Sequence, residues 1–392
     1  MKRYLTLAGW LVLGAMSLQA QTLSAFKSGE DVSKLTLSSK LWDKIKSDTV
    51  IVYPQTTVVM NDKTANDVSA NMSAKSLHVK SVCDGKNVAF LIEWSDTTKN
   101  VQERRDGNTF GDGFAVQFAT TKGALPYIGM GSEGRAVIVH LQKATGALYE
   151  PNNAQDVFHQ VNVSNQNAFG KDAKAYQEAV AKQGNGDYQR TFIAEGFRSM
   201  TQIRDASESS VMEMNYAKGT WKALLIRPLQ SAYLSLSGST PVAFAVWDGA
   251  LHHRDGLKRL SAWVELNLDG NRMLNPAFAE TIGDVKNGEN VVMENCASCH
   301  QYKEVKNAPE FMAPNLSNIG GYGNDSYLKE SIVEPNGVVV PGYNLNAHRN
   351  FAWYTLDDKG VRSSTMPPFS HLDEKSINDA VAFLKTLKAE VK

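Results

Sequence analysis

The stretch VVMENCASCHQ, Val291–Gln301, contains Cys296-Ala297-Ser298-Cys299-His300. Two thiols at this spacing can each form a thioether to one vinyl group of a haem, and the adjoining histidine then reaches the iron. The pentapeptide therefore predicts one covalent haem c, attached through Cys296 and Cys299, with His300 as an axial ligand. Such short motifs also arise by chance, so the surroundings have to agree with it.

They do agree. The preceding IGDVKNGENVVMEN reads as a polar–apolar helix leading straight into the motif. DSYLKESIVEP reads as a second, short helix closed by Pro335. In DEKSINDAVAFLKTLK the residues Ile377, Val381, Leu384 and Leu387 share one helical face, with Asp373 as N-cap. Ahead of that last helix, RSSTMPPFSHL offers Met366 followed by two prolines that stiffen the loop. A thioether sulfur is soft and favours ferrous iron. Met366 is thus the predicted sixth ligand, ahead of Met312 in PEFMAPNLSNIGG; the bland alternative for Met366 is packing against a haem edge. His348 and His371 read as surface residues. Helices at both ends with irregular loops between them resemble a small all-α class I c-type cytochrome, placed at residues 276–392. Such a domain needs only about 100 residues, which leaves the residues in front of it to be explained.

The chain has 392 residues, with 41 basic and 41 acidic side chains. That length suggests two or three domains, and the charge balance gives no reason to expect nucleic acid or an anionic membrane as partner. Residues 1–20 read as an export signal. Lys2 and Arg3 precede an apolar run from Tyr4 to Leu18, and Leu18-Gln19-Ala20 offers cleavage after Ala20. An uncleaved anchor is the competing reading. No later segment reaches about 18 uninterrupted apolar residues, so the mature chain is expected to be soluble and periplasmic. Of three cysteines, Cys83 is left over. It lies in the alternating LHVKSVCDG and reads as a buried, inert thiol.

Residues 21–275 look largely β. TVIVYP, SLHVKSVC, NVAFLIEWSD, DGFAVQF, RAVIVHLQ, SVMEMNY, WKALLIRPL, PVAFAVWDG and LSAWVELNL are rich in β-branched and aromatic residues, and many alternate as half-buried antiparallel strands do. The expectation is an all-β sandwich, or a related barrel, of about nine strands. The Asn/Gln-rich region 151–190, with a predicted helix at KDAKAYQEAVAKQ, reads as a surface insertion. His252-His253 is a tempting metal pair, but adjacent strand residues face opposite ways, which favours an ordinary loop. Hydrolase and phosphate-loop motifs are missing. On pattern alone such a sandwich could bind carbohydrate or another ligand beside a monohaem cytochrome c.

NVAFLIEWSDTTKN, DGFAVQF, PYIGMG, FIAEGFRSMT, GTWKALLIRPL and FAVWDGALHHRDGLKRLSAW occur in that order. Together they resemble the haem-b-binding γ subunit of ethylbenzene dehydrogenase and of related molybdenum enzymes acting on selenate, chlorate and dimethylsulfide. The fusion to a cytochrome c is similar to the γ subunit of nitrite oxidoreductase. The resemblance implies a second, non-covalent haem b in the sandwich, held by a methionine that falls at Met130 and a lysine that falls at Lys258. Lys222 in GTWKALL and His140, which stands where the family commonly has tryptophan, are rivals for the second position. It also implies partners: an iron–sulfur β subunit, a molybdopterin α subunit and a soluble periplasmic electron carrier. The chain itself is expected to transfer electrons and to catalyse no bond chemistry. A lysine binds iron only as the neutral amine, so such a lysine needs an apolar pocket that lowers its pKa. Trp247, Trp263 and Trp221 are candidates to line one. Without the family, a core methionine and a solvated lysine would be the default readings of Met130 and Lys258.

Overall fold

The computed structural model describes residues 22–55, 69, 71–101, 110–145, 188–197, 199–270, 275–342 and 351–392. The export signal, the predicted helix of the 151–190 insertion and His348 lie outside these residues. Among the described residues no helix is long and apolar enough to cross a membrane.

The first part of the chain runs through β1 (Thr22–Ser24), β2 (Phe26–Lys27), β3 (Asp48–Pro54), β4 (Lys75–Cys83), β5 (Asn87–Ser95), β6 (Gly113–Ala119) and β7 (Val137–Lys143). It continues through β8 (Tyr188–Ala194), β9 (Thr201–Gln202), β10 (Val211–Ala217), β11 (Thr220–Pro228), β12 (Ser239–Trp247), β13 (Arg259–Leu260) and β14 (Val264–Asn267). Hydrogen bonding orders these as β10-β11-β5-β4-β3-β13-β12-β6-β7-β8-β9, with β14 on β12. Strand β3 turns the corner. Its residues 48–52 pair with β4, whereas Tyr53 and Pro54 pair with β13. The result is two layers, antiparallel except for the short β1–β14 and β2–β4 pairs, the expected sandwich.

The layers close on an inner core. Phe90, Ile92, Trp94 and Leu225 come from one layer, and Phe114, Val116, Phe118 and Phe244 from the other. Each fully buried side chain of this size contributes about 2 kcal/mol. Strand β6 departs from simple alternation: all seven of its residues are buried. Phe114, Val116 and Phe118 face the inner core, while Ala115 and Ala119 join a second apolar cluster on the outer face. That layer is covered on both sides, so its strands read as nearly continuous hydrophobic runs.

The cover is the C-terminal domain. It is built from α1 (Val285–Asn295), α2 (Ile319–Tyr322), α3 (Asp325–Val333) and α4 (Glu374–Leu384), with a hairpin of β15 (Tyr354–Leu356) and β16 (Arg362–Ser364). Asp373 caps α4 by accepting from Ser376 N at 2.7 Å, as its position in the sequence predicts. Helices α1 and α4 cross at Gly288, where a Cβ would stand 1.9 Å from the Asp379 carbonyl oxygen. Only glycine permits so close a crossing. Helix α4 lays Ala380, Val381, Phe383 and Leu384 into the outer cluster.

Polar contacts join the domains. Arg135 and Glu330 form a fork at 2.7 and 2.5 Å. Trp263 N donates to Asn324 Oδ1 and Asn324 Nδ2 donates to the Trp263 carbonyl, each at 3.0 Å. Near the chain's end the backbone returns to the sandwich, where Ala74 N donates to the Glu390 carbonyl at 2.8 Å.

Candidate haem-binding sites

Helix α1 delivers its C-cap, Cys296, directly into the C-x-x-C-H turn, which closes through His300 N donating to the Cys296 carbonyl at 2.9 Å. Both motif thiols are free and half-buried, and Cys296 packs on the outer cluster. His300 is buried, and its Nδ1 lies 2.7 Å from the Pro314 carbonyl oxygen. A carbonyl only accepts, so Nδ1 carries the proton and Nε2 keeps its lone pair for a metal. Burial pushes the Cys296 thiol up to about 11, and burial pulls the His300 imidazole down, so both are neutral. This donor set fits a covalent haem.

Met366 lies in the loop between β16 and α4, half-buried, its amide donating to Ser364 Oγ at 3.1 Å. Met312 is also half-buried. His371 is exposed beside Phe369, as expected of a surface residue.

The residues carried over from the second resemblance are linked beneath the cytochrome domain through Gln55 and Tyr127. Lys258 is only 6% exposed. Its Nζ donates to Gln55 Oε1 at 2.9 Å and stands 5.7 Å from the centre of the Trp247 ring. Burial, opposed by Asp255, brings its ammonium down to about 8. Gln55 in turn donates to Tyr127 OH at 3.2 Å. Tyr127 opens the turn that carries Met130, closed by Gly131 N donating to the Tyr127 carbonyl at 2.9 Å. A Cβ on Gly129 would come within 2.7 Å of Gln55 Nε2, so the turn lies directly on this chain of contacts.

Met130 itself has φ 92°, a conformation L-residues rarely adopt. Its carbonyl is held by Gly196 N at 2.8 Å, and its half-buried side chain packs on the outer cluster, to which Tyr127, Trp247 and Trp263 belong. Strain of this kind persists where the surroundings impose it, often at functional sites. A buried lysine with a weakened hold on its proton and a strained methionine packed on an apolar cluster fit a flat hydrophobic cofactor bound through nitrogen and sulfur.

The rivals stand elsewhere. Lys222 is an ion pair with Glu93 at 2.9 Å, its side chain 38% exposed. His140 alternates with Val139 and Leu141 on β7, so those two face the outer cluster while the imidazole points between the layers, edge-on to Phe118. Trp221, suggested for the lysine pocket, belongs to the inner core, stacked on Trp94. Of the adjacent histidines, His253 is buried and accepts from Asp248 N at 3.1 Å, whereas His252 faces outward. Cys83 is buried with its Sγ 3.6 Å from the Leu268 carbonyl, and burial raises its pKa.

Comparison with known families agrees with this geometry. The ethylbenzene dehydrogenase family profile matches residues 39–259, a span that includes both Met130 and Lys258. The chain belongs to the ethylbenzene dehydrogenase family. A cytochrome c profile matches residues 285–388, so this family member carries a cytochrome c domain and is an electron-transfer cytochrome. No curated protein matches it. Among solved structures, a family 9 carbohydrate-binding module of Caldicellulosiruptor kristjanssonii in complex with cellotriose is 8% identical, with a TM-score of 0.32 over 64% of this chain and 95% of that one. A protein of Bacteroides uniformis described as carbohydrate-binding is likewise 8% identical, with a TM-score of 0.31 over 66% and 95%. At such scores the likeness bears on neither fold nor function.

Gln55 and Tyr127 escaped the sequence reading as functional residues. Gln55 follows a strand with nothing in its neighbourhood to mark it. Tyr127 stands within the PYIGMG stretch, and that was the available signal.

Proposed function

We propose that the chain is a periplasmic dihaem electron-transfer subunit of a molybdenum oxidoreductase. Cys296 and Cys299 anchor a haem c with His300 and Met366 on its iron, and Met130 and Lys258 hold a haem b in the pocket of the sandwich. When bound, the two groups supply one-electron iron couples whose potentials follow axial ligand and burial. The protein's own work is to place and tune them. Pro314 orients His300, Gln55 holds the Lys258 amine, and the tryptophan-lined wall excludes water from it. The chain then relays single electrons between an iron–sulfur β subunit, itself joined to a molybdopterin α subunit, and a soluble carrier. It carries out no bond chemistry of its own.

One observation supports this reading above the others: a lysine buried to 6% exposure is tied through Gln55 and Tyr127 to the strained turn of Met130. A merely structural lysine would be expected at the surface. The test is acid–acetone extraction of the purified, haem-replete protein followed by pyridine haemochrome spectra of both fractions. Covalent haem stays in the pellet and non-covalent haem enters the extract. Equal amounts in the two support the dihaem reading. Haem in the pellet alone leaves a monohaem cytochrome with a ligand-binding sandwich before it.

A further inference from the structure

Three acidic side chains converge where β5, β6 and β12 meet their loops. Asp96 directly follows β5, Asp112 directly precedes β6 and Asp248 directly follows β12. Strand β5 belongs to one layer, β6 and β12 to the other. Each carboxylate places an oxygen so that all three lie within 4.8 Å of one another.

Buried carboxylates normally find donors. Asp112 does: Asn100 N and Trp221 Nε1 serve its Oδ2 at 2.8 and 3.0 Å, and Gly249 N serves Oδ1 at 2.8 Å. Asp96 is half served. Its Oδ1 accepts from Thr98, but Oδ2 is shielded from water and has no partner among the described residues, although the residue is only 4% exposed. Asp248 Oδ1 is shielded and unpartnered in the same way. Lys75 and Arg259 do not fill the gap. Lys75 Nζ donates to the Ser95 carbonyl and Arg259 Nε to the Ser73 carbonyl. Among the described residues neither forms an ion pair with the three carboxylates. Two carboxylate oxygens, Asp96 Oδ2 and Asp248 Oδ1, are thus left open among the described residues.

We propose that Asp96, Asp112 and Asp248 form a structural site for one calcium ion, which ties the two layers of the sandwich together. The donors are all oxygen, the preference of a hard cation. Calcium takes six to eight oxygens in flexible geometry, whereas magnesium demands a near-ideal octahedron, so three carboxylates on separate loops suit the larger ion. Each bound carboxylate oxygen can still accept its protein hydrogen bonds, because an ionised carboxylate has about four lone-pair sites. The site does not depend on the haem reading.

The experiment uses the full-length, haem-replete protein, dialysed against a chelator and titrated with calcium chloride. The expected result is one calcium per chain by calorimetry and a raised melting temperature, with a smaller rise for magnesium. Asp96→Asn and, separately, Asp248→Asn should abolish the calcium-dependent rise while haem content stays at the wild-type level. If Asp96→Asn fails to fold, Asp248→Asn and the wild-type stoichiometry decide. Wild-type protein that takes up no calcium and melts identically with and without chelator overturns the proposal. So does a calcium-dependent rise that survives in either folded variant, because the ion then sits elsewhere.

Discussion

The Lys258 amine and Gln55 Oε1 lie 2.9 Å apart, and through Gln55 the amine is coupled to the tyrosine that opens the Met130 turn. Lys258→Ala should therefore lose haem b and leave haem c intact. Gln55→Leu, which removes only the outer partner, should weaken retention of haem b by about 10–100-fold. Both are read from the haem in the acid–acetone extract relative to the pellet. A normal extract from Lys258→Ala would return the ligand role to Lys222 or His140.

Met130 at φ 92° sets stability against binding. Glycine tolerates that backbone, so Met130→Gly relieves strain on the order of 1 kcal/mol while removing the sulfur. Apo protein carrying the substitution should melt below wild type by less than Met130→Ala does, because relief of strain offsets part of the lost packing, yet fail to take up haem b on reconstitution. A variant that binds normally would remove Met130 from the ligand set.

Met366→Ala deletes the predicted soft ligand of the covalent haem. Its potential should fall, since ferrous iron loses its preferred donor, and haem b should keep its own potential. A spectroelectrochemical titration separates the two. An unchanged haem c midpoint would direct attention to Met312.

His140 gives the sandwich an acid-side weakness. Burial, reinforced by Arg227, keeps its pKa well below the usual 6.5, and its Nε2 has no partner among the described residues. The unfolded chain takes up a proton that the native state refuses, so stability is lost as pH falls below about 6.5. Between about pH 7.5 and about pH 5.5 this amounts to about 1.4 kcal/mol. His140→Gln keeps a polar group toward Thr191 and should lose that share of the acid dependence, measured as the difference between wild-type and variant unfolding curves at the two pH values. Equal slopes would mean that His140 titrates normally.

Much of the fold could be read from the residues themselves. The nine strand stretches each became a strand or, for LSAWVELNL, the β13–β14 pair, because β-branched runs between turn residues carry their own signal. Strand β8 was harder to see. Its Tyr188–Ala194 begins inside the region taken as an insertion, and only its pairing with β7 fixes it. The double burial of β6 was also hidden, since alternation cannot reveal that a second domain covers the outer face. At the covalent site the spacing of Cys296, Cys299 and His300 announced itself locally, but the Pro314 carbonyl that orients the imidazole is 14 residues away. The second pocket was legible only by resemblance. Lys258 and Met130 are distant in sequence, and what joins them is Gln55, a residue with no local mark.

The return of the last residues to Ala74, together with the Trp263–Asn324 exchange and the Arg135–Glu330 fork, clasps the cytochrome at several points of its surface. A domain held in this way is no ferry on a flexible leash. The C-x-x-C-H turn and the lysine pocket belong to domains joined at all these points, so with a haem in each, redox exchange inside the chain would be governed by tunnelling distance rather than by diffusion. Raising solvent viscosity should leave that internal rate unchanged and slow only the encounter with an outside partner.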